Sequence, residues 1–271
     1  MSELYLRVVS GIVMAVVFLF AIFMGGWLFA ALIGVMSAII WSEWTNIMLP
    51  DGDDRAKLVG FVCIAIMTIA LLFFSGTFLF ITIIAAFGIA SSLLLSWSGG
   101  TRGVSGLLYA GGFLIAMVSL RGGFESTAGL IAILYLCVTV WFTDIGAYFV
   151  GRLVGGPKLA PSISPNKTMS GAMGGIIAAA FGAWIIIIVS GVHNQGGLLL
   201  LAIVLSAVSQ MGDLFESGIK RRAGVKDSGY IIPGHGGMMD RVDGLLFAAI
   251  VLWVFSVVIN GLVAPATALF V

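Results

Sequence analysis

Residues 196–216, GGLLLLAIVLSAVSQMGDLFE, and residues 243–263, DGLLFAAIVLWVFSVVINGLV, bracket a stretch of quite different character, SGIKRRAGVKDSGYIIPGHGGMMDRVD, running from Ser217 to Asp243. Each bracket is long and apolar enough to cross a bilayer as a helix, which takes about 20 residues. Between them sit five of the thirteen Lys+Arg residues, Lys220, Arg221, Arg222, Lys226 and Arg241, with three aspartates and a Gly-His-Gly-Gly turn. A polar loop wedged between two spans is the chemistry-bearing part of this chain.

Working outward, further apolar runs lie near 8–24, 27–48, 58–74, 77–97, 104–120, 127–150 and 171–191, which makes nine in all. The 8–24 and 58–74 runs are short, and the break at Ser75-Gly76 is the weakest boundary. The chain is 61% hydrophobic and 9% charged, with a mean hydropathy of +1.18. A soluble globular domain carries about 25% charged residues, so that class is excluded. The expected fold is an all-α polytopic membrane protein, a bundle of about nine transmembrane helices with its site at the cytoplasmic face. Residues 1–126 are expected to form an N-terminal transmembrane scaffold, and 127–271 a C-terminal transmembrane catalytic region. The first run lacks a small-residue cleavage site and is read as a retained helix. Cys63 and Cys137 fall inside spans without paired spacing, which argues against a disulfide or a zinc site.

Basic residues set the orientation. With a cytoplasmic N-terminus and nine alternating spans, twelve Lys and Arg residues fall on the inner side and only Arg121 on the outer, a strong positive-inside bias.

Glu43, Asp144, Asp213, Glu216 and Asp243 lie within or at the edge of spans. A carboxylate in hydrocarbon costs at least about 2.5–3.5 kcal/mol, so such residues usually face a polar cavity and mark function. Asp213 closes the eighth run, while Asp240 and Asp243 open the ninth at a spacing that puts both on one helical face. Three such acids could hold a divalent cation, with Mg²⁺ favoured because it takes a few carboxylates plus water and phosphate oxygens. The alternative is that Asp240 and Asp243 only complement the positive end of a helix dipole. Asp144 lies about 9 Å inside its helix end and could equally pair with a neighbouring cation. Glu43, between Trp41 and Trp44, is read as an interfacial helix-end residue.

The cations are open to two readings as well. Positive-inside bias and attraction to anionic headgroups explain many of them, Arg222 in particular. Yet a Pro-Gly-His-Gly-Gly turn leading into a helix suits phosphate oxygens. The segment SPNKTMSG, Ser164 to Gly171, could be a second phosphate-facing element, with Lys167 and Thr168 as donors, or a simple cap through Thr168 or Ser170. His235 could carry a proton, contact phosphate or serve only the loop. Gly171-Ala172-Met173-Gly174-Gly175 is read as a helix-packing face.

At this point the run from Ser217 to Asp243 resembles the hallmark motif of the phosphatidate cytidylyltransferases, or CDP-diacylglycerol synthases. It matches at Ser217, Lys220, Arg221, Lys226, Asp227, Pro233, His235, Gly236, Gly237, Asp240, Arg241 and Asp243. Upstream, TDIGAYFVGRLVGGPKLAPSISPNKTMSG is similar to the family's preceding block, departing from it at Ile145 and Asn166. The resemblance implies transfer of a cytidylyl group from CTP to phosphatidic acid, giving CDP-diacylglycerol and pyrophosphate for phospholipid biosynthesis in a bacterial inner membrane. On this basis Asp213, Asp240 and Asp243 are assigned to Mg²⁺, with or without a second cation, and Lys226 joins them as a catalytic group. Lys167, Lys220, Arg221, His235 and Arg241 are assigned to substrate phosphates, with Asp144 a supporting polar residue. The implied partners are CTP, phosphatidic acid and membrane lipids, with no nucleic acid; a homodimer is compatible with the family and the small-residue faces. Two other functions share parts of this pattern, a CTP-dependent polyprenol or lipid kinase and a membrane transporter.

Overall fold

A computed structural model describes residues 3–49, 54–74, 76–96, 100–193, 195–232, 236–262 and 265–270. Among them run nine long helices: α1 (Glu3–Met24), α2 (Gly26–Met48), α3 (Asp54–Phe73), α4 (Gly76–Ser96), α5 (Gly100–Arg121), α6 (Thr127–Val154), α7 (Met169–Ser190), α8 (Gln195–Arg222) and α9 (Met239–Asn260). A short α10 (Thr267–Phe270) follows. Seven of the nine are long and apolar enough to cross a membrane; in α1 and α4 the apolar stretches, Val8–Met24 and Ile81–Ser96, are shorter. The protein is thus an all-α, multi-pass membrane protein. The 58–74 run, expected to be short, lies in α3, whose 20 residues suffice for a span. One element is additional: the segment after α6 folds as an antiparallel hairpin of β1 (Lys158–Ala160) and β2 (Ser164–Thr168).

The chain divides into two units, one of Met1–Glu125 and Ala223–Arg241, the other of Ser126–Arg222 and Val242–Val271. In the first, α2 carries two buried indoles as anchors. Trp41 donates its Nε1–H to the Lys57 carbonyl at 3.0 Å and Trp44 to the Arg102 carbonyl at 2.9 Å. Their rings fill notches left by Gly60 on α3 and Gly106 on α5. A buried Trp normally finds a partner for its N–H, and here that partner is the neighbouring helix's backbone.

Arg121, assigned by sequence to an outer loop, instead sits buried in the last turn of α5. Its guanidinium donates to the carbonyls of Ile22 at 2.6 Å and Phe23 at 3.2 Å, and to that of Gly123 at 2.8 Å. The first two carbonyls belong to the end of α1, where unsatisfied oxygens and the helix dipole favour a cation.

The second unit is built on small residues. A Cβ on Gly146 of α6 would fall 2.5 Å from the Ala178 Cβ of α7, one on Gly175 of α7 2.8 Å from the Thr143 carbonyl, and one on Gly171 2.8 Å from the Ala147 carbonyl. The 171–175 packing face is therefore real, and the backbones of α6 and α7 touch along it, as small residues permit in lipid. Buried hydroxyls cross-link the unit: Tyr135 donates to the Leu198 carbonyl at 2.5 Å, and Thr143 is 2.8 Å from Ser206.

Candidate functional site

Within the second unit, four side chains from four elements share one electrostatic neighbourhood: Asp144 of α6, Lys167 of β2, Asp213 of α8 and Asp243 of α9. Lys167 forms an ion pair with Asp213 Oδ2. The other Asp213 oxygen accepts a hydrogen bond from Ser217 Oγ at 3.3 Å, and Asp243 Oδ1 accepts one from the Gly244 N–H at 2.7 Å. Asp144 is exposed, and among the described residues its carboxylate accepts no hydrogen bond.

The approach of Asp213 to Asp243 has a backbone cause. Gly212 and Gly244, each adjacent in sequence to one of the acids, form matching notches. A Cβ on Gly212 would fall 2.6 Å from the Asp243 carbonyl oxygen, and one on Gly244 3.0 Å from the Ser209 carbonyl oxygen. Two glycines thus let the acid-bearing turns of α8 and α9 come into contact.

Lys167 is presented by the hairpin. The Met169 N–H donates to the Pro157 carbonyl at 2.9 Å where β2 passes into α7, and Thr168 is the N-cap of α7, its Oγ1 accepting from the Gly171 N–H at 3.0 Å. Of the two readings of SPNKTMSG, the cap is present through Thr168. Ser170 instead donates to the Gly155 carbonyl. Lys167, one residue before the cap, is thereby held toward Asp213.

Three carboxylates facing one ammonium form a set of hard oxygen donors with excess negative charge, which fits Mg²⁺. Among the described residues no three such side chains converge tightly enough to enclose an ion by themselves.

The other cations fall as follows. Lys220 Nζ lies 2.8 Å from the buried Glu216 carboxylate one turn earlier on α8. Exposed Arg221 donates its Nε–H to the Ile163 carbonyl at 3.4 Å, which links the end of α8 to the hairpin turn. Lys226 and Arg241 are exposed in the first unit. His235 lies outside the described residues.

Asp240 has a partner set of its own within the first unit. Its Oδ2 accepts from the Ser228 N–H at 2.8 Å, the Ser228 hydroxyl at 2.9 Å and the Gly237 N–H at 2.9 Å. The loop closes on itself through Ile232, whose N–H donates to the Gly236 carbonyl at 3.1 Å. Gly236 has φ +83, and a Cβ there would fall 2.9 Å from Asp240 Oδ2, so the turn admits only glycine without strain.

Glu43 was read as an interfacial helix-end residue and is instead buried at 5% exposure. Its carboxylate accepts from Ser228 Oγ at 3.1 Å, the Met238 N–H at 2.8 Å and the Met239 N–H at 2.7 Å. Sequence reasoning also passed over Ser228, Gly212 and Gly244. The signal for the glycines was their adjacency to intramembrane acids; Glu43 carried the signal of an acid in a span, but its pairing with Ser228, far along the chain, had none.

The chain matches the model of a protein family described as the cytidylyltransferase family over residues 5–259. It is 40% identical over 260 residues to the phosphatidate cytidylyltransferase of Brucella suis biovar 1 (strain 1330), covering 95% of each chain. It is 35% identical over 264 residues to that of Bacillus subtilis (strain 168), covering 91% of this chain and 95% of the relative. Over a shorter stretch of 120 residues it is 52% identical to the phosphatidate cytidylyltransferase of Staphylococcus epidermidis (strain ATCC 12228 / FDA PCI 1200), covering 44% of this chain and 46% of that one.

Proposed function

The chain belongs to the cytidylyltransferase family, and from that premise we propose that it transfers the cytidylyl group of CTP to phosphatidic acid, yielding CDP-diacylglycerol and pyrophosphate. The observation that carries this reading is the similarity to phosphatidate cytidylyltransferases across 95% of the chain. The acid cluster supports it. In the transfer, a phosphate oxygen of phosphatidate forms a bond to the α-phosphorus of CTP, and the bond from that phosphorus to the oxygen bridging to the β-phosphate breaks. Phosphatidate is ionised at neutral pH, so the protein's task is positioning and charge neutralisation rather than proton removal.

Asp213 and Asp243 would hold Mg²⁺, with Asp144 beside them. When bound, the ion supplies positive charge to phosphate oxygens. Lys167, already aimed at this cluster, neutralises Asp213 at rest and offers its ammonium to a phosphate. Asp240 holds Ser228 and Gly237 together, so its proposed role is to position these loop residues; Lys226, His235 and Arg241 are proposed as contacts for substrate phosphates. Lys220 and Arg221, at the end of α8, are proposed as further phosphate contacts. The basic-residue bias supports a cytoplasmic position for these groups, where CTP is available, and the proposed location is a bacterial inner membrane.

The test is product analysis with the purified protein, phosphatidic acid, Mg²⁺ and CTP labelled separately in its α- and γ-phosphates. Label from the α-phosphate enters lipid while γ-label leaves as pyrophosphate. If γ-label entered lipid the protein would be a kinase, and if neither did, with the fold intact, the transferase reading would fall.

A further inference from the structure

Glu43 comes from the half of the chain that carries no other mark of chemistry, and it is a costly residue to bury. A carboxylate in a spanning helix is costly to take out of water unless its oxygens are satisfied. Both of its oxygens are in use: Oε1 accepts from the Met238 N–H, and Oε2 from the Met239 N–H and the Ser228 hydroxyl. The two backbone donors stand at the start of α9, where N–H groups have no partner within the helix and a negative charge is favoured. Most helices take such a cap from the residue just ahead of them. Met238 occupies that place and has no oxygen to offer, so the cap is imported from α2.

The loop is also shaped around this carboxylate. A Cβ on Gly229 would fall 2.8 Å from Glu43 Oε1, and one on Gly237 2.7 Å from the same atom. The Ser228 hydroxyl lies between Glu43 Oε2 at 3.1 Å and Asp240 Oδ2 at 2.9 Å. Two glycines, one serine and two backbone amides of the motif thus converge on a side chain about two hundred residues earlier in sequence. A simple helix cap needs none of the glycines.

We propose that Glu43 is a positioning residue for cytidylyl transfer, clamping Ser228 and the start of α9 at Met238 and Met239 so that Asp240 and the described loop residues beside it keep the arrangement that CTP phosphates require. This rests on the function proposed above for what the loop binds. The clamp itself rests on the hydrogen bonds to Glu43 and the glycine notches around it.

The experiment uses the full-length protein in one detergent, comparing wild type with Glu43→Gln and, separately, with Gly237→Ala. The amide keeps the volume of Glu43 but replaces one acceptor oxygen with a donor; the alanine leaves Glu43 in place and intrudes on the Ser228 hydroxyl, 2.0 Å from the added Cβ, and on the Glu43 carboxylate, 2.7 Å from it. Hydrogen exchange read by mass spectrometry should show the 225–240 segment exchanging at least about tenfold faster in both variants, with peptides of α6 and α8 unchanged. In the same preparations KM for CTP should rise about tenfold or more, with a smaller loss in kcat. Wild-type exchange across 225–240 in both variants would overturn the clamp. Faster exchange there with wild-type KM and kcat would overturn the positioning role. If one variant loosens everywhere, the other decides the question. Local loosening in a protein whose wild type transfers no cytidylyl group would overturn the reaction on which this rests and leave the clamp standing.

Discussion

The molecule uses carboxylates in or beside its helices in two contrasting ways. In the first unit Glu43 and Asp240 are surrounded by donors: the N–H groups of Ser228, Gly237, Met238 and Met239, and the Ser228 hydroxyl. In the second, Asp144, Asp213 and Asp243 face one another, and among the described residues their donors are the Lys167 ammonium, Ser217 Oγ and the Gly244 N–H. A carboxylate whose oxygens are taken up by backbone donors is spent on holding the chain. One that stands beside other carboxylates with few donors is poised for a cation. The same residue type therefore holds backbone in one region and, in the reading proposed above, is left open for a cation in the other, with the supply of N–H groups making the difference.

The largest break in this contrast comes from Asp243. Replacing it with Ala removes an acid from the open cluster without disturbing a loop anchor, and turnover should fall by about 10²–10³-fold or more, while the purified protein keeps its wild-type melting temperature within a few degrees. Activity at the wild-type level would end the assignment of the cluster to a metal. Chelation should do the same reversibly: activity lost in EDTA returns on adding Mg²⁺, whereas the exchange protection of the Ser228–Met239 loop, held by Glu43, stays unchanged throughout.

The sequence was informative wherever physics acts locally. Span lengths, the polar window between two of them, the glycine face at 171–175 and the acids at span edges all follow from hydropathy, small-residue packing and the cost of charge in lipid. It was silent where partners are distant. Glu43 gave no sign of its loop because Ser228 and Met238 lie far along the chain, and Arg121 read as a loop charge because the carbonyls it caps belong to α1. The hairpin at 158–168 was missed for another reason: its strands are three and five residues long, too short for an alternating pattern to register. Asp144 was seen as an intramembrane acid, but its grouping with Asp213, Asp243 and Lys167 needed four elements to be placed at once.

A subtler change sharpens what the open cluster is for. Among the described residues Lys167 is the cluster's one cationic partner, so Lys167→Ala removes both a proposed phosphate contact and a competitor for the carboxylates. Turnover should drop by about 10–100-fold. At the same time the Mg²⁺ concentration giving half-maximal rate should fall by about twofold or more, because a like charge near the ion has gone. A titration in which Mg²⁺ affinity instead weakened would mean that Lys167 orders the acids rather than competing with the ion.

The approach of α8 to α9 can be loosened in the same spirit. Gly212→Ala sets a methyl group 2.6 Å from the Asp243 carbonyl oxygen. A backbone atom cannot swing aside, so the helices must part, at a cost of about 1–3 kcal/mol in stability. Misplacement of Asp213 against Asp243 should cost about tenfold in rate. Gly88→Ala, where no atom lies within 4 Å of the added methyl, should leave rate and melting temperature near the wild type. Equal behaviour of the two variants in both measurements would show that the glycine notch does not set the acid-to-acid geometry.

The smallest effect is expected in the donor-rich region. Ser228→Ala takes away the hydroxyl shared by Glu43 and Asp240, yet the backbone N–H of the same residue still donates to Asp240, and those of Met238 and Met239 still donate to Glu43. One neutral donor among several is worth about 0.5–1.5 kcal/mol net. Exchange of the 225–240 segment should therefore quicken by only a few-fold, well short of the effect of Glu43→Gln, and KM for CTP should move less than threefold, a range that corresponds to under about 0.7 kcal/mol. A loss as large as that of Glu43→Gln would relocate the holding function from the carboxylate to the hydroxyl. Saturation with backbone donors would then no longer be what separates the two kinds of acid, because a single side-chain proton would be carrying the loop.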